Sequence, residues 1–215
     1  MKKGLTELVM ILDRSGSMAG LEADTIGGFN GMIEKQKNEP GEAYVSVILF
    51  DHEVERLYDR VDIKKVEPMT EAQYYVRGCT ALLDAVGSTI RHIGNVHKYA
   101  REEDVPEKTI FIITTDGLEN ASREYSYERV RKMIEHEKEK YNWEFLFLGA
   151  NMDAISAARS FGIRSDRAVR YECDDAGTAL NFAVVSQTIA KARKGCAIEA
   201  DWCAEIADDY EKRGK

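Results

Sequence analysis

The sequence predicts an α/β fold, a doubly wound, mainly parallel six-stranded sheet with helices on both faces and one antiparallel edge strand. Three observations predict it. Continuous apolar runs, such as Leu8-Val9-Met10-Ile11-Leu12 and Ile110-Phe111-Ile112-Ile113, read as strands buried on both faces of a parallel sheet. Segments of helical apolar spacing alternate with these runs. One connection, Asp51-His52-Glu53, is so short that it permits only an antiparallel hairpin.

Residues 8–12 form the first strand, which ends at Asp13 and the tight loop Arg14-Ser15-Gly16-Ser17. Leu21, Ile26, Phe29, Met32 and Ile33 give a helix over residues 21–38. Gly27, Gly28 and Gly31 weaken it intrinsically, and the expected return is close backbone approach to the sheet. Pro40-Gly41 ends the element. Residues 44–50 are the second strand and residues 54–63 its hairpin partner. Glu55, Arg56, Asp59, Arg60 and Asp62 suit that partner to a sheet edge.

Residues 64–79 read as a loop or broken helix. Leu82, Leu83, Val86, Ile90 and Ile93 then mark a helix of several turns. A polar connection containing Pro106 leads to the strand at residues 109–115. Ser126 is the expected N-cap, with Glu128 in the first turn, of a helix through Lys138. Residues 143–148 are a buried strand, with Trp143, Phe145 and Phe147 as core and sheet flank. A short helix is expected from Met152 to Phe161, and a short strand at residues 168–171. Asp174 and Asp175 favour the start of a helix through Ala192. Beyond it, Ile198, Trp202 and Ile206 recur at helical spacing. Residues 5–192 are therefore expected to be the domain, and residues 193–215 a peripheral C-terminal extension with an amphipathic helix.

Composition narrows the function. The chain has 215 residues, 44% of them hydrophobic, enough for a sizeable core. Its 38 acidic and 30 basic residues leave a formal net charge of -8. Nucleic acid wants a basic footprint and an anionic membrane surface wants a polybasic one, so neither is an expected partner. No apolar run approaches the roughly 20 residues of a membrane helix. Met1-Lys2-Lys3 resembles the start of a signal peptide, but the apolar run after it is short, preceded by Glu7 and ended by Asp13. The expectation is a cytoplasmic protein. Cys79, Cys173, Cys196 and Cys203 form no Cys-x-x-Cys pair, which argues against structural zinc and, without a secretory signal, against disulfides.

The chemistry concentrates in three segments. Asp13 stands at the carboxyl end of its strand, where open α/β sheets bind ligands. Ser15 and Ser17 follow at alternate positions of the loop. The second strand with this grammar ends in Thr114-Thr115-Asp116-Gly117. Between them, Gly78-Cys79-Thr80-Ala81-Leu82-Leu83-Asp84-Ala85 offers the Thr80 hydroxyl from the start of a helix. Taken singly, these are ordinary caps and turns. Taken together, two carboxylates and three hydroxyls make an all-oxygen set suited to a hard divalent cation.

That set resembles the metal-ion-dependent adhesion site of von Willebrand factor type A domains, a split Asp-x-Ser-x-Ser, Thr, Asp signature. All of its positions match, in Asp13, Ser15, Ser17, Thr80 and Asp116. The resemblance extends over residues 5–192 and is strongest to small stand-alone bacterial members, similar to those associated with tellurium resistance. It implies the strand order 3-2-1-4-5-6, with Asp13 and Asp116 ending adjacent central strands. It implies a metal-dependent protein–protein interaction module, not an enzyme. The implied ion is Mg²⁺ or Mn²⁺, held by those five residues. The implied partner is a protein whose Glu or Asp fills an open coordination position.

An alternative is a Mg²⁺-dependent, phosphatase-like phosphoryl-transfer enzyme using Asp13 as nucleophile. Haloacid-dehalogenase-like phosphatases carry a second Asp two residues later, where this chain has Ser15. Gly16 and Gly20 do not make a dinucleotide fingerprint. His52, His92, His97 and His136 are expected at the solvated surface. Cys79, beside Thr80, reads as a loop or buried thiol, with a soft metal ligand as the alternative.

Overall fold

A computed structural model describes residues 1–150 and 153–213. Its strands are β1 (Lys2–Asp13), β2 (Glu42–Phe50), β3 (Val54–Asp62), β4 (Pro106–Thr115), β5 (Glu144–Gly149) and β6 (Ala168–Arg170). They form one sheet in the order β3-β2-β1-β4-β5-β6. β1 lies centrally and parallel to both neighbours, with Leu8 opposite Val45 on one side and Ile110 on the other. Only the β2–β3 hairpin is antiparallel. The expected strand number, order and single antiparallel edge pair are all present.

The helices are α1 (Glu22–Lys37), α2 (Leu82–Tyr99), α3 (Tyr127–Tyr141), α4 (Ala154–Ser160), α5 (Asp175–Arg193) and α6 (Ala204–Arg213). Side-chain alternation along the strands divides the core into two layers. Leu8, Met10, Leu12, Ile110, Ile112, Leu146 and Leu148 pack with Phe29, Met32 and Ile33 of α1 and Val185 and Ile189 of α5. Val9, Ile11, Phe111, Ile113, Phe145 and Phe147 pack with Val86, Ile90 and Ile93 of α2 and Val130 and Ile134 of α3. Trp143 is buried in the second layer and stacks on Phe111 at 5.2 Å. Each such side chain contributes about 1.5–3 kcal/mol on burial.

Local capping explains the helix limits. Ser126 Oγ accepts from Arg129 N at 3.3 Å and starts α3, which runs past Lys138 until Asn142 turns left-handed at φ 54°. Asp174 Oδ1 accepts from Gly177 N at 2.7 Å and starts α5. Asp153 accepts from Ser156 N at 3.1 Å, so α4 begins at Ala154; Met152 lies outside the described residues.

Three expectations are corrected. The glycines of α1 do not serve the sheet: a Cβ on Gly28 would lie 2.2 Å from the Phe182 ring of α5, whereas Gly27 and Gly31 face open space. Gly28 is needed for helix-to-helix approach. His97 is not solvated. Its Nε2 lies 2.6 Å from Oε2 of the fully buried Glu7, and its ring meets Trp143 edge-on at 5.4 Å. The tail is not peripheral. Ile206, 1% exposed, and Ile198 join the core layer under α5. Polar contacts fasten it further: Lys108 Nζ donates to the Cys196 carbonyl at 3.3 Å, Arg167 Nη2 to the Ile198 carbonyl at 2.6 Å, and Trp202 Nε1 to the Asp166 carbonyl at 3.0 Å. Of the three apolar residues at helical spacing, only Ile206 lies within α6.

Candidate metal centre

The chain leaves β1 toward β2 and leaves β4 toward β5, in opposite directions across the sheet. The carboxyl ends of β1 and β4 therefore frame the crevice at the topological switch point. Asp13 ends β1, and Asp116 follows β4 directly.

Four contacts assemble the site from segments far apart in sequence. Asp13 Oδ1 accepts from Ser15 N at 2.7 Å, an Asx turn that folds the loop back over the strand end. Asp13 Oδ2 accepts from Thr115 Oγ1 at 2.5 Å, which ties β1 to β4. Ser15 Oγ and Ser17 Oγ lie 3.1 Å apart, and Ser17 Oγ donates to Asp116 Oδ1 at 2.5 Å. Thr80 arrives beside Gly117, on the same side as Ser17. A Cβ on Gly117 would lie 2.8 Å from Thr80 Oγ1 and 3.3 Å from Ser17 Oγ. All five residues expected from the sequence are thus brought to one place. Asp13, Ser15, Thr80 and Asp116 are buried, and Ser17 stands exposed at the mouth.

The electrostatics favour a cation there. Burial pushes the Asp13 carboxyl up to about 6, against hydrogen bonds from Thr115 and Ser15, and the neighbouring Asp116 pushes the same way. Burial likewise raises Asp116, opposed by the Ser17 hydroxyl. Among the described residues no Lys, Arg or His forms an ion pair with either carboxylate. Two buried like charges supported by neutral hydroxyls fit a hard divalent ion well: charge and donor type both match.

A second acidic group lies nearby and does not fit. Asp51, His52 and Glu53 bring three potential donors within 4.8 Å of one another. Asp51 Oδ2, however, already accepts from Arg14 Nε and from Arg77 Nε, each at 2.8 Å. Burial alone would raise the Asp51 carboxyl, but the bonds from Arg77, the Glu53 amide and Arg14 outweigh it and hold it below the usual range. Two guanidinium groups on one carboxylate disfavour a further cation.

Several residues that shape the centre carried no signal in the sequence. Arg14, fully buried, spans Asp51 and Glu55 and anchors the loop that bears Ser15. Tyr74 OH donates to the Asp13 carbonyl at 2.5 Å. Asn120 Oδ1 accepts from Thr80 N at 2.9 Å. The thiol at the site comes from Cys173, whose Sγ is 3.9 Å from Asp116 Oδ2, while Cys79 is exposed. Burial, then Asp116, pushes that thiol up to about 12.

No protein-family model matches the chain, and no curated protein matches it in sequence. Solved structures do match. Proximal thread matrix protein 1 from the mussel byssus superposes with a TM-score of 0.58 at 16% identity, covering 87% of this chain and 46% of that one. A second structure of that protein, with a zinc-occupied MIDAS motif, gives 0.58 at 15% identity over 86% of this chain and 46% of that one. The von Willebrand factor domain of the type V pili tip protein Mfa5 from Porphyromonas gingivalis gives 0.59 at 12% identity, covering 90% of this chain and 98% of that one. The chain spans less than half the length of the mussel protein. These likenesses show a von Willebrand factor A-like α/β fold.

Proposed function

We propose that the chain is a metal-dependent protein-binding module, non-enzymatic in itself, that holds Mg²⁺ or Mn²⁺ through Asp13, Ser15, Ser17, Thr80 and Asp116. The observation that carries this reading is the convergence of Ser17 on Asp116 at 2.5 Å, with Thr80 Oγ1 beside Gly117, in a pocket of two buried carboxylates. The two aspartates match the charge of one dication, and the three hydroxyls add neutral oxygens. A bound divalent ion would supply a fixed positive charge that prefers an anionic oxygen to water. Ser17, exposed at the mouth, marks the side from which a partner's Glu or Asp would approach.

The rest of the site serves that role by position. Thr115 and the Ser15 amide hold both oxygens of Asp13 in place. Asn120 fixes the backbone of Thr80, and Gly117 leaves the gap between the two hydroxyls open. The fold shared with the mussel matrix protein and the pilus tip domain supports the reading, since the former is described with an occupied site of this kind.

Calorimetry of the chelator-treated chain with Mn²⁺ and Mg²⁺ tests the proposal. One ion should bind per chain, and Asp13→Ala and Asp116→Ala should each abolish it. Undiminished binding in both variants would reject the assignment.

A further inference from the structure

The five oxygen-bearing residues have one further metal-ligating neighbour, Cys173, which reaches Asp116. Cys173 lies in the turn between β6 and Asp174, the N-cap of α5, and this turn delivers its half-buried thiol to the carboxyl end of the sheet. Its Sγ is 3.9 Å from Asp116 Oδ2. Asp116 is 2% exposed, and Ser17 occupies its other oxygen, Oδ1. Apart from the distant thiol, no hydrogen bond from the described residues reaches Oδ2. A thiol is a weak donor, so this buried carboxylate oxygen is poorly satisfied.

The separation suits two donors around one ion. Around a four-coordinate ion, with some of the five residues acting through water, metal–sulfur bonds of about 2.3 Å and metal–oxygen bonds of about 2.1 Å place sulfur and oxygen roughly 3.6 Å apart. Sγ and Oδ2 stand a few tenths of an ångström beyond that. The oxygens of Asp13, Ser15, Ser17 and Thr80 offer only hard ligands, which do not discriminate against Mg²⁺. A thiolate does, because soft sulfur selects thiophilic ions.

We infer, on the premise that Asp13, Ser15, Ser17, Thr80 and Asp116 form a metal centre, that Cys173 is a further ligand to that ion and shifts the site's preference toward Zn²⁺ over Mg²⁺. The step is an exchange without redox change. The S–H bond breaks heterolytically, an S–metal bond forms, and one proton leaves to solvent for each ion bound. Cys79, adjacent to Thr80 in sequence, takes no part.

Co²⁺, a spectroscopic stand-in for Zn²⁺, tests the inference. The chelator-treated chain is titrated with Co²⁺ in weak buffer, reading the near-ultraviolet thiolate-to-cobalt band and the protons released. Wild type and Cys79→Ser should show the band and the extra proton. Cys173→Ser and Cys173→Ala should lose both, still bind Mn²⁺, and bind Zn²⁺ at least about tenfold more weakly. Cobalt binding without the band in wild type, or a band that persists in both Cys173 variants, would overturn the inference while leaving the oxygen site intact. Failure of wild type to bind Co²⁺, Zn²⁺ and Mn²⁺ alike would overturn the underlying metal centre with it. Cooperative melting of each variant separates ligand loss from misfolding.

Discussion

Ser17 Oγ donates a hydrogen bond of 2.5 Å to Asp116 Oδ1, joining the loop after β1 to the loop after β4 across 99 residues of chain. The bond gives a buried carboxylate one neutral donor, which is less than its charge demands. The same hydroxyl lies within contact range of the gap beside Gly117, where Thr80 presents its own oxygen. A site held this way is organised before any ligand arrives, and a dication completes its charge balance.

The first expectation concerns stability. A ligand that binds only the native state adds RT ln(1 + [L]/Kd), about 2.7 kcal/mol at one hundred times Kd. For a chain of this size that amounts to a rise in Tm of roughly 5–10 °C. Differential scanning calorimetry should show it in wild type with saturating Mn²⁺ or Mg²⁺, and much less in Asp13→Ala. Equal responses would remove Asp13 from the ligand set.

The dependence on pH follows from the raised carboxyl of Asp13. With a native value of about 6 against an ordinary 3.8, the folded chain holds this proton more tightly than the unfolded chain. Metal-free stability from this group is then greatest at low pH and is lost as pH rises through the window between those values. The loss is about 3 kcal/mol at most. Asp13→Asn should therefore be more stable than wild type at pH 8 in EDTA, with the difference shrinking toward pH 4. The metal-induced rise in Tm should fade as pH drops through about 6, where protons compete for the carboxylate. A pH-independent gap between the two proteins would contradict the assignment.

Gly117→Ala should silence the centre without deleting a ligand. Its added methyl would stand 2.8 Å from Thr80 Oγ1, closer than a Cβ ordinarily approaches any heavy atom. The substitution lies on a loop, so the expected cost in stability is small. Mn²⁺ affinity measured by calorimetry should fall by at least about tenfold. Unchanged affinity would place the ion away from the gap between Thr80 and Ser17.

Much of this was legible in the chain because the strands are buried on both faces. Such strands read as unbroken apolar runs, and an Asp at the end of one is conspicuous. Asp13 and Asp116 stand out through that contrast, Ser15, Ser17 and Thr80 through the resemblance to the adhesion-site signature, and the structure places the five side by side. The supporting residues were not legible. Thr115 reads as one more β-branched strand residue, and nothing local says that its hydroxyl crosses to Asp13. Cys79 drew notice by adjacency to Thr80, yet Cys173 reaches Asp116, because contact across the crevice depends on where the turn before α5 is laid. His97 looked solvated among polar neighbours; its partner, Glu7, lies 90 residues away on another element. The spacing of Ile198, Trp202 and Ile206 suggested one helix, but turns divide them and burial unites them.

The tail should matter to stability. Ile206→Ala removes a buried side chain and should cost about 2 kcal/mol or more. Truncation after Arg193 removes Ile198, Trp202 and Ile206 together, along with the Arg213–Asp174 ion pair at the N-cap of α5. Urea unfolding should show a clear loss of midpoint in the truncated chain. Equal midpoints would mean that residues 194–213 fold onto the sheet without supporting it.

Glu7 also bears on how β1 finds its place. An apolar run buried on both faces resists a one-residue slip only weakly, because either face would accept the shifted side chains. Glu7 does not tolerate the shift. Its oxygens meet Arg60 Nε at 2.8 Å and His97 Nε2 at 2.6 Å, and a slip would swing it to the other face, charged and without either neighbour. Asp13 shares the parity of Glu7 along the strand, so any phase error at one end is carried to the other. The carboxylate at the far pole of the sheet thus acts as a proofreader, rejecting alignments in which Asp13 would point away from its crevice.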